Sequence, residues 1–161
     1  MPKLIKDGQI VEDNWQLVRE ATGDLPNGNI IVALPLWLAN KETLIKRKGE
    51  IGLLLSSSEE AETIEHDANF FSVIALDFPM FADGRSYTNA RILRERYNYQ
   101  GEIRAVGDVL QDQLFYMKRC GFNAFALRED KDIEVALKSL NDFSESYQAA
   151  VDQPLPLFRR R

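Results

Sequence analysis

Cysteine and histidine are almost absent from this chain, and their scarcity excludes several classes of site. Cys120 and His66 are the single representatives of their types among 161 residues. One thiol cannot form a disulfide within the chain, and a zinc or iron–sulfur site needs several cysteine or histidine ligands. One histidine without a neighbouring nucleophile does not make a catalytic triad. We therefore expect a structural role for Cys120, a surface position for His66 and no metal site.

Nucleotide-binding motifs and long apolar runs are also missing. Neither GxGxxG nor GxxxxGK[ST] occurs, so no motif implies a cofactor, and the cofactor stays unknown. The longest apolar run, Ile30 to Ala39, is too short to cross a bilayer, and the N-terminus lacks the apolar core of a signal peptide. A net charge of −5 argues against a general nucleic-acid binder. We expect a soluble, cytoplasmic protein without nucleic-acid or membrane partners.

Short apolar segments alternate with segments of helical character along the chain. Residues 3–18 resemble a β-hairpin, because Asp7-Gly8 is a turn signal between two apolar segments. Buried strands are predicted at 30–34, 51–55, 72–78, 101–107 and 124–127, and helices at 40–48, 56–68, 84–97, 108–121 and from 130 onward. Pro35 is expected to end the first of these strands, and Asn40 to cap the following helix.

This pattern predicts an α/β protein of about five β-α units with a short N-terminal hairpin. Strands that are apolar on both faces and separated by single helices favour a mainly parallel sheet. An open doubly wound sheet and a partial barrel both fit, whereas a complete eight-unit barrel needs about 250 residues. We expect one domain over residues 1–150 and an extended or mobile tail at 151–161.

A polar cluster, DGRSY at 83–87, follows the third predicted strand. Asp83 suits a helix N-cap, and Gly84 permits a tight turn. Arg85 would lie in the first helical turn, where a cation opposes the helix dipole unless an anion is bound there. This predicts a small-anion site for phosphate, sulfite or a carboxylate. The alternative is that Arg85 pairs with Asp77 or Asp83.

A second polar cluster, GDVLQDQ at 107–113, follows the next strand, which itself contains Arg104. Alternation places Arg104 on the face opposite Ile103 and Ala105, so it needs a carboxylate or a ligand. Asp108 and Asp112, at helical spacing, are the expected partners. The candidate anion- or substrate-binding residues are Asp83, Gly84, Arg85, Tyr87, Arg104, Asp108, Asp112 and Gln113.

Arginines are concentrated between residues 85 and 104 of this acidic chain. Glu95 can pair with Arg91 at a spacing of four, which indicates a solvated, ion-paired helix face. The alternative is that Arg91 and Arg94 dock an acidic partner, such as a small electron-transfer protein.

Several motifs match one bacterial family. They are F-x-D-G-R-x-Y at 81–87, A-R-x-L-R at 90–94, G-E-x-R-A-x-G-x-V-L-x-D-Q at 101–113 and G-F-x-x-F at 121–125. With these motifs, and with LIKDGQIVEDNW and LPLWL nearer the N-terminus, the chain resembles the DUF934 family of uncharacterised bacterial proteins. Members are often named as oxidoreductases of sulfite reduction, so the resemblance implies sulfur assimilation. It assigns no role to any residue.

Three hypotheses follow. The protein is a non-catalytic accessory of sulfite assimilation that binds sulfite reductase, its electron donor or sulfite itself. It is instead an enzyme whose anionic substrate is held by Arg85 and Arg104, with Asp108 or Asp112 as proton acceptor. Or it is an interaction scaffold in which the motif residues are structural.

Overall fold

The computed structural model describes residues 2–20, 25–47, 49–79, 85–128 and 130–141. Asp83, Gly84 and the predicted tail at 151–161 lie outside the described residues. The strands are β1 Lys3–Lys6, β2 Gln9–Glu12, β3 Gln16–Val18, β4 Ile30–Ala33, β5 Ile51–Leu55, β6 Val73–Phe78, β7 Glu102–Gly107 and β8 Ala124–Phe125. The α-helices are α1 Leu34–Leu44, α2 Arg85–Glu95, α3 Leu114–Cys120 and α4 Ile133–Asn141. Short 3-10 turns occupy Ile45–Arg47, Ala61–Ile64, Ala68–Phe70 and Gln111–Gln113.

The strands form one sheet in the order β2-β1-β8-β7-β6-β5-β4-β3. From β3 to β8 every strand is parallel to its neighbour in the chain, while β1 is antiparallel to both β2 and β8. Because the parallel strands follow in sequential order, right-handed crossovers step in one direction and place the helices on one face. The sheet curls into a half-barrel. The predicted α/β class with a mainly parallel sheet is confirmed, in its partial-barrel form.

The N-terminal hairpin is shorter than predicted. Its turn is Asp7-Gly8, and both residues have positive φ (51° and 79°), as a type I′ hairpin turn requires. The prediction is wrong for residues 16–18, because β3 leaves the hairpin and pairs with β4 at the opposite edge of the sheet. Local turn signals determine β1 and β2, whereas the position of β3 depends on contacts distant in sequence.

Four predictions about the helices and their ends are also wrong. Pro35 lies in the first turn of α1, which begins at Leu34, and β4 ends before it at Ala33; a residue in the first helical turn needs no partner for its backbone nitrogen. Asn40 does not cap a helix but lies inside α1, where its non-helical φ of −123° and ψ of 22° make a kink. Residues 56–68 form loops and 3-10 turns instead of one α-helix, although the buried Ala61, Ile64 and Ala68 have helical spacing. Asp108 caps no helix, since α3 begins only at Leu114.

The core has two layers on opposite faces of the sheet. The larger layer lies between the convex face and the helices and contains Trp37, Phe78, Tyr99 and Phe122. A smaller cluster covers the concave face, and the indole of Trp15 packs against it. Burial on both faces explains why β4 to β7 are apolar almost throughout.

Two weak acids are buried in the core, and they limit stability at alkaline pH. Burial raises the pKa of the Tyr99 phenol far above its ordinary 10.0, and the hydroxyl donates to the Phe71 carbonyl at 2.9 Å. Burial also raises the pKa of the Cys120 thiol above its ordinary 9.0, although nearby Arg91 lowers it. Both groups therefore stay protonated in the folded protein at pH values at which they ionise in the unfolded chain.

We expect the free energy of unfolding to fall as the pH rises above about 9, because the unfolded chain then releases protons that the folded chain retains. Tyr99→Phe should make this fall shallower above pH 10, and should cost about 1–2 kcal/mol at pH 7 because the Phe71 carbonyl loses its donor. Urea unfolding at a series of pH values measures both effects. An unchanged alkaline slope in Tyr99→Phe would contradict the assignment.

Candidate functional site

Arg104 is the centre of an ion network on the concave face. Its side chain is only 4% exposed, and its Nε and Nη1 donate to the Glu102 carboxylate at 2.6 Å and to Asp13 Oδ1 at 2.9 Å. Lys6 Nζ lies 3.2 Å from the other oxygen of Glu102. Two cations thus face two anions. Arg104 has carboxylate partners as expected, but they are Glu102 and Asp13, and not Asp108 or Asp112. Glu102 could have been identified from the sequence, because residues two apart in a strand share a face.

Removing Arg104 should leave buried carboxylates without their counter-ion. We expect Arg104→Met to lower the free energy of unfolding by about 3–5 kcal/mol, because removing one partner of a buried ion pair leaves the other charge buried and uncompensated. The double variant Arg104→Met/Glu102→Met should recover part of that loss, since Lys6 remains solvated. Urea denaturation of the four proteins in this cycle measures the coupling. A loss below about 1 kcal/mol in the single variant would contradict a buried network.

Asp77 and Asp108 lie at the exits of two neighbouring strands, where the sequence predicts polar clusters. Arg19 Nη1 donates to Asp77 at 3.4 Å, and Arg128 Nη1 donates to Asp108 at 2.8 Å. Gly107 has a φ of +90°, and a Cβ there would lie 2.6 Å from Asp77 Oδ1. Glycine therefore allows the Asp77 carboxylate to lie against β7. The sequence analysis missed Arg19 and Arg128, which come from distant elements.

Arg85 is separated from the Arg104 ion network by the sheet, because Arg85 belongs to α2 on the helical side. It is exposed in the first turn of α2 and lines an open pocket of about 280 Å³. The other lining residues are Glu59, Glu60, Glu62, Thr88, Asn89 and Ile92. The structure does not bring Arg85 and Arg104 together, and three glutamates beside Arg85 oppose an anion in this pocket.

Four residues meet at the surface where α2 packs beside α3 and the 3-10 turn before it, and we call this cluster the α2–α3 groove: Tyr87, Arg91, Asp112 and Tyr116. The Tyr87 ring packs between Phe78 and Tyr116, with centroid distances of 5.1 and 4.9 Å. Tyr116 is nevertheless 50% exposed. Burial raises the pKa of Tyr87, and Cys120, Tyr116 and Asp112 raise it further, so its hydroxyl is neutral at pH 7. The candidates Tyr87, Arg91 and Asp112 thus come together, joined by Tyr116, which the sequence analysis missed.

Asp112 and Gln113 reach this region from a 3-10 turn and not from a helix. Asp112 is exposed and Gln113 is half-buried. Because Asp108 lies in the preceding loop, Asp108 and Asp112 do not share the helical face that their spacing predicts.

Arg91 supplies the positive charge of the groove. Its guanidinium lies 3.9 Å from Glu95, which is the predicted pairing at the outer limit of an ion pair. Burial lowers the pKa of Arg91, but Cys120 and Tyr116 raise it by more, so the side chain stays charged. A third of the side chain remains exposed, at 36%.

Arg94 binds the protein's own backbone. Its guanidinium donates to the carbonyl oxygens of Tyr99, Gly101 and Gly121 at 2.7, 2.8 and 3.0 Å, and to Asn123 Oδ1 at 3.3 Å. Burial lowers its pKa. The side chain therefore connects the end of α2 to the end of α3, and it is not available to dock a partner.

Arg94→Met should lower the free energy of unfolding by at least about 3 kcal/mol, because several carbonyl groups lose a charged donor. Arg96→Met is the matched control: it removes an exposed arginine two residues away and should stay within about 0.5 kcal/mol of the wild type. Thermal and urea unfolding measure both. Equal effects in the two variants would rule out the backbone clamp.

Neither a metal centre nor a membrane span is found in the part of the chain that the structure describes. No three His, Cys, Asp or Glu side chains of these residues are grouped to hold a metal ion. None of the described helices is both long and apolar enough to cross a bilayer.

One family model matches the chain, over residues 52–158, and it is described as "Bacterial protein of unknown function (DUF934)". Comparison with curated proteins found no match. The matched range includes β6, β7, α2 and α3, and with them the strand exits and the α2–α3 groove. Since the match covers more than half of the sequence, this chain belongs to the DUF934 family.

Proposed function

We propose that this protein is a non-catalytic accessory protein of assimilatory sulfite reduction that docks an acidic partner protein on the α2–α3 groove. The pathway rests on the family resemblance, and the partner is sulfite reductase or its electron donor. One observation carries the docking surface: Tyr116 is half-exposed while its ring packs at a tilt against Tyr87, beside the charged Arg91. Tyrosine and arginine are enriched among the residues that dominate protein–protein binding energy.

The charge of the surrounding surface supports an acidic partner. Arg91, Arg96, Lys118 and Arg119 lie on or directly after α2 and α3, and Glu95 and Asp112 are the acidic residues beside them. The whole chain has a net charge of −5, so this basic region stands in an acidic molecule. An acidic protein would be attracted here and repelled elsewhere, which orients the encounter.

The aromatic centre of the groove is pre-organised. The buried Phe78 ring packs against the Tyr87 ring, and the Tyr87 ring packs against that of Tyr116. Rigid aromatic side chains on helices lose little conformational entropy when a partner covers them, so more of the contact energy appears as affinity.

The enzyme hypothesis has less support from the geometry. It needs Arg85 and Arg104 on one anion, with Asp108 or Asp112 as proton acceptor. Arg104 is neutralised by two carboxylates, and Asp108 is engaged by Arg128. A small-anion site formed by Asp83, Gly84 and Arg85 at the start of α2 stays a prediction.

The proposal is tested by titrating the purified protein against assimilatory sulfite reductase, and separately against its electron-donor protein, from the same bacterium. We expect binding to one of them that weakens between about 50 and 300 mM NaCl. Arg91→Glu and Tyr116→Ala should each weaken it about thirtyfold or more, as loss of a central contact does.

Lys3→Glu serves as the matched control, since it makes the same charge change at an exposed site on β1. It should bind like the wild type. The proposal would be overturned if the protein bound neither sulfite reductase nor the electron-donor protein at low salt. Equal weakening by Lys3→Glu and Arg91→Glu would show an effect of net charge, and the groove would then be the wrong surface.

A further inference from the structure

Glu95 lies at the end of α2, where a negative charge is unfavourable. It is the last residue of the helix, and the C-terminal end of a helix carries the negative end of its dipole. Its partner Arg91 lies one turn nearer the N-terminus, and a cation that precedes an anion at this spacing is the less favourable order for an ion pair on a helix. The stability of α2 therefore does not explain why a glutamate occupies this position.

The ion pair between Arg91 and Glu95 is also easily broken. Arg91 Nη1 lies 3.9 Å from Glu95 Oε1, and the two side chains are 36% and 57% exposed. A carboxylate that binds a guanidinium directly lies at about 2.7–2.9 Å from it and often accepts two hydrogen bonds. An exposed pair at the outer limit of contact contributes little, because water and dissolved ions screen it. A carboxylate held in better geometry would therefore displace Glu95 from Arg91.

The surroundings of Arg91 hold its guanidinium in place independently of Glu95. Tyr116 and Cys120 both interact with this guanidinium. Tyr116 packs against Tyr87 at a centroid distance of 4.9 Å, and Cys120 is fully buried, so the protein itself fixes both side chains. An arginine that is already held in position loses little conformational freedom when it exchanges one acidic partner for another.

We infer, on the basis of the proposed docking function of the α2–α3 groove, that Glu95 pairs with Arg91 in the free protein and is displaced by a carboxylate of the partner. A partner with an aspartate or glutamate beside an apolar side chain fits this exchange. Its carboxylate replaces Glu95 on Arg91, and its apolar group covers the exposed half of Tyr116. An acidic protein without such a residue meets Arg91 already paired and is repelled by Glu95, so Glu95 selects among acidic partners.

Glu95→Gln should bind the partner about three- to tenfold more tightly than the wild type at about 50 mM NaCl, because the partner no longer has to displace a carboxylate from Arg91. Calorimetric titrations against sulfite reductase and against its electron-donor protein measure this change. The gain should shrink toward about 300 mM NaCl, since salt screens exposed charges. Glu42→Gln is the matched control, because it removes the same charge at an exposed position on α1 and should bind like the wild type.

A second pair of variants tests whether Glu95 acts through Arg91. Arg91→Gln and Arg91→Gln/Glu95→Gln should differ in affinity by less than about twofold, because Glu95 has no guanidinium to pair with in either of them. A gain that persists undiminished in the absence of Arg91, or an equal gain in Glu42→Gln, would be an effect of net charge and would overturn the role of Glu95.

The role of Glu95 and the docking function of the groove fail in different ways. If the wild type binds and Glu95→Gln binds no more tightly, the role of Glu95 is overturned while the docking function stands. If the wild type binds neither protein, the docking function is overturned, and the role of Glu95 falls with it.

Discussion

A link of only three residues, Asp13 to Trp15, joins the two opposite edges of the sheet, and much of the structure depends on it. The chain leaves β2 at one edge and enters β3 at the other, so the two strand ends can be no more than about 14 Å apart. A flat sheet of eight strands does not allow this, whereas a curled one does. The same link places Trp15 on the concave face and Asp13 against Arg104. Curvature, concave packing and charge neutralisation are thus consequences of one short connection.

This constraint also decides which surfaces a partner can use. The concave face is filled with the protein's own side chains, and its buried charges already face each other. Because the parallel strands follow in sequential order, the helices form a single outer layer, in which α2 and α3 lie side by side. The polar and aromatic side chains still exposed to solvent on these two helices lie on that layer. Because the concave face is filled and the helical layer is exposed, the structure agrees better with a docking role on the helical side than with catalysis on the concave face.

The sequence predicts the parts of the fold that local patterns control. Strands buried on both faces appear as continuous apolar runs, so β4 to β8 are found close to their predicted positions, whereas the place of β3 depends on an edge formed by distant residues. In the site, the sequence identifies Tyr87, Arg91 and Asp112 as candidates but does not predict that they lie together. It predicts an α-helix at Asp112, where the chain forms a 3-10 turn with a different number of residues per turn. The sequence pattern around Arg94 is typical of an exposed helix face. Its carbonyl partners are known only once the path of the chain from Tyr99 to Gly101 is known.

The pairing of β1 with β8 has a consequence for the order of folding. Ile5 lies opposite Phe125, and Lys6 opposite Ala124, so the first strand of the chain completes its hydrogen bonds on the last strand of the sheet. During synthesis the N-terminal hairpin leaves the ribosome long before its docking edge exists. Contacts this distant in sequence form late, because their loop-closure entropy must be overcome before any contact compensates it. Until then the hairpin exposes Leu4 and Ile5, which are buried in the folded protein. During this interval the nascent chain is most prone to aggregation and most dependent on chaperones.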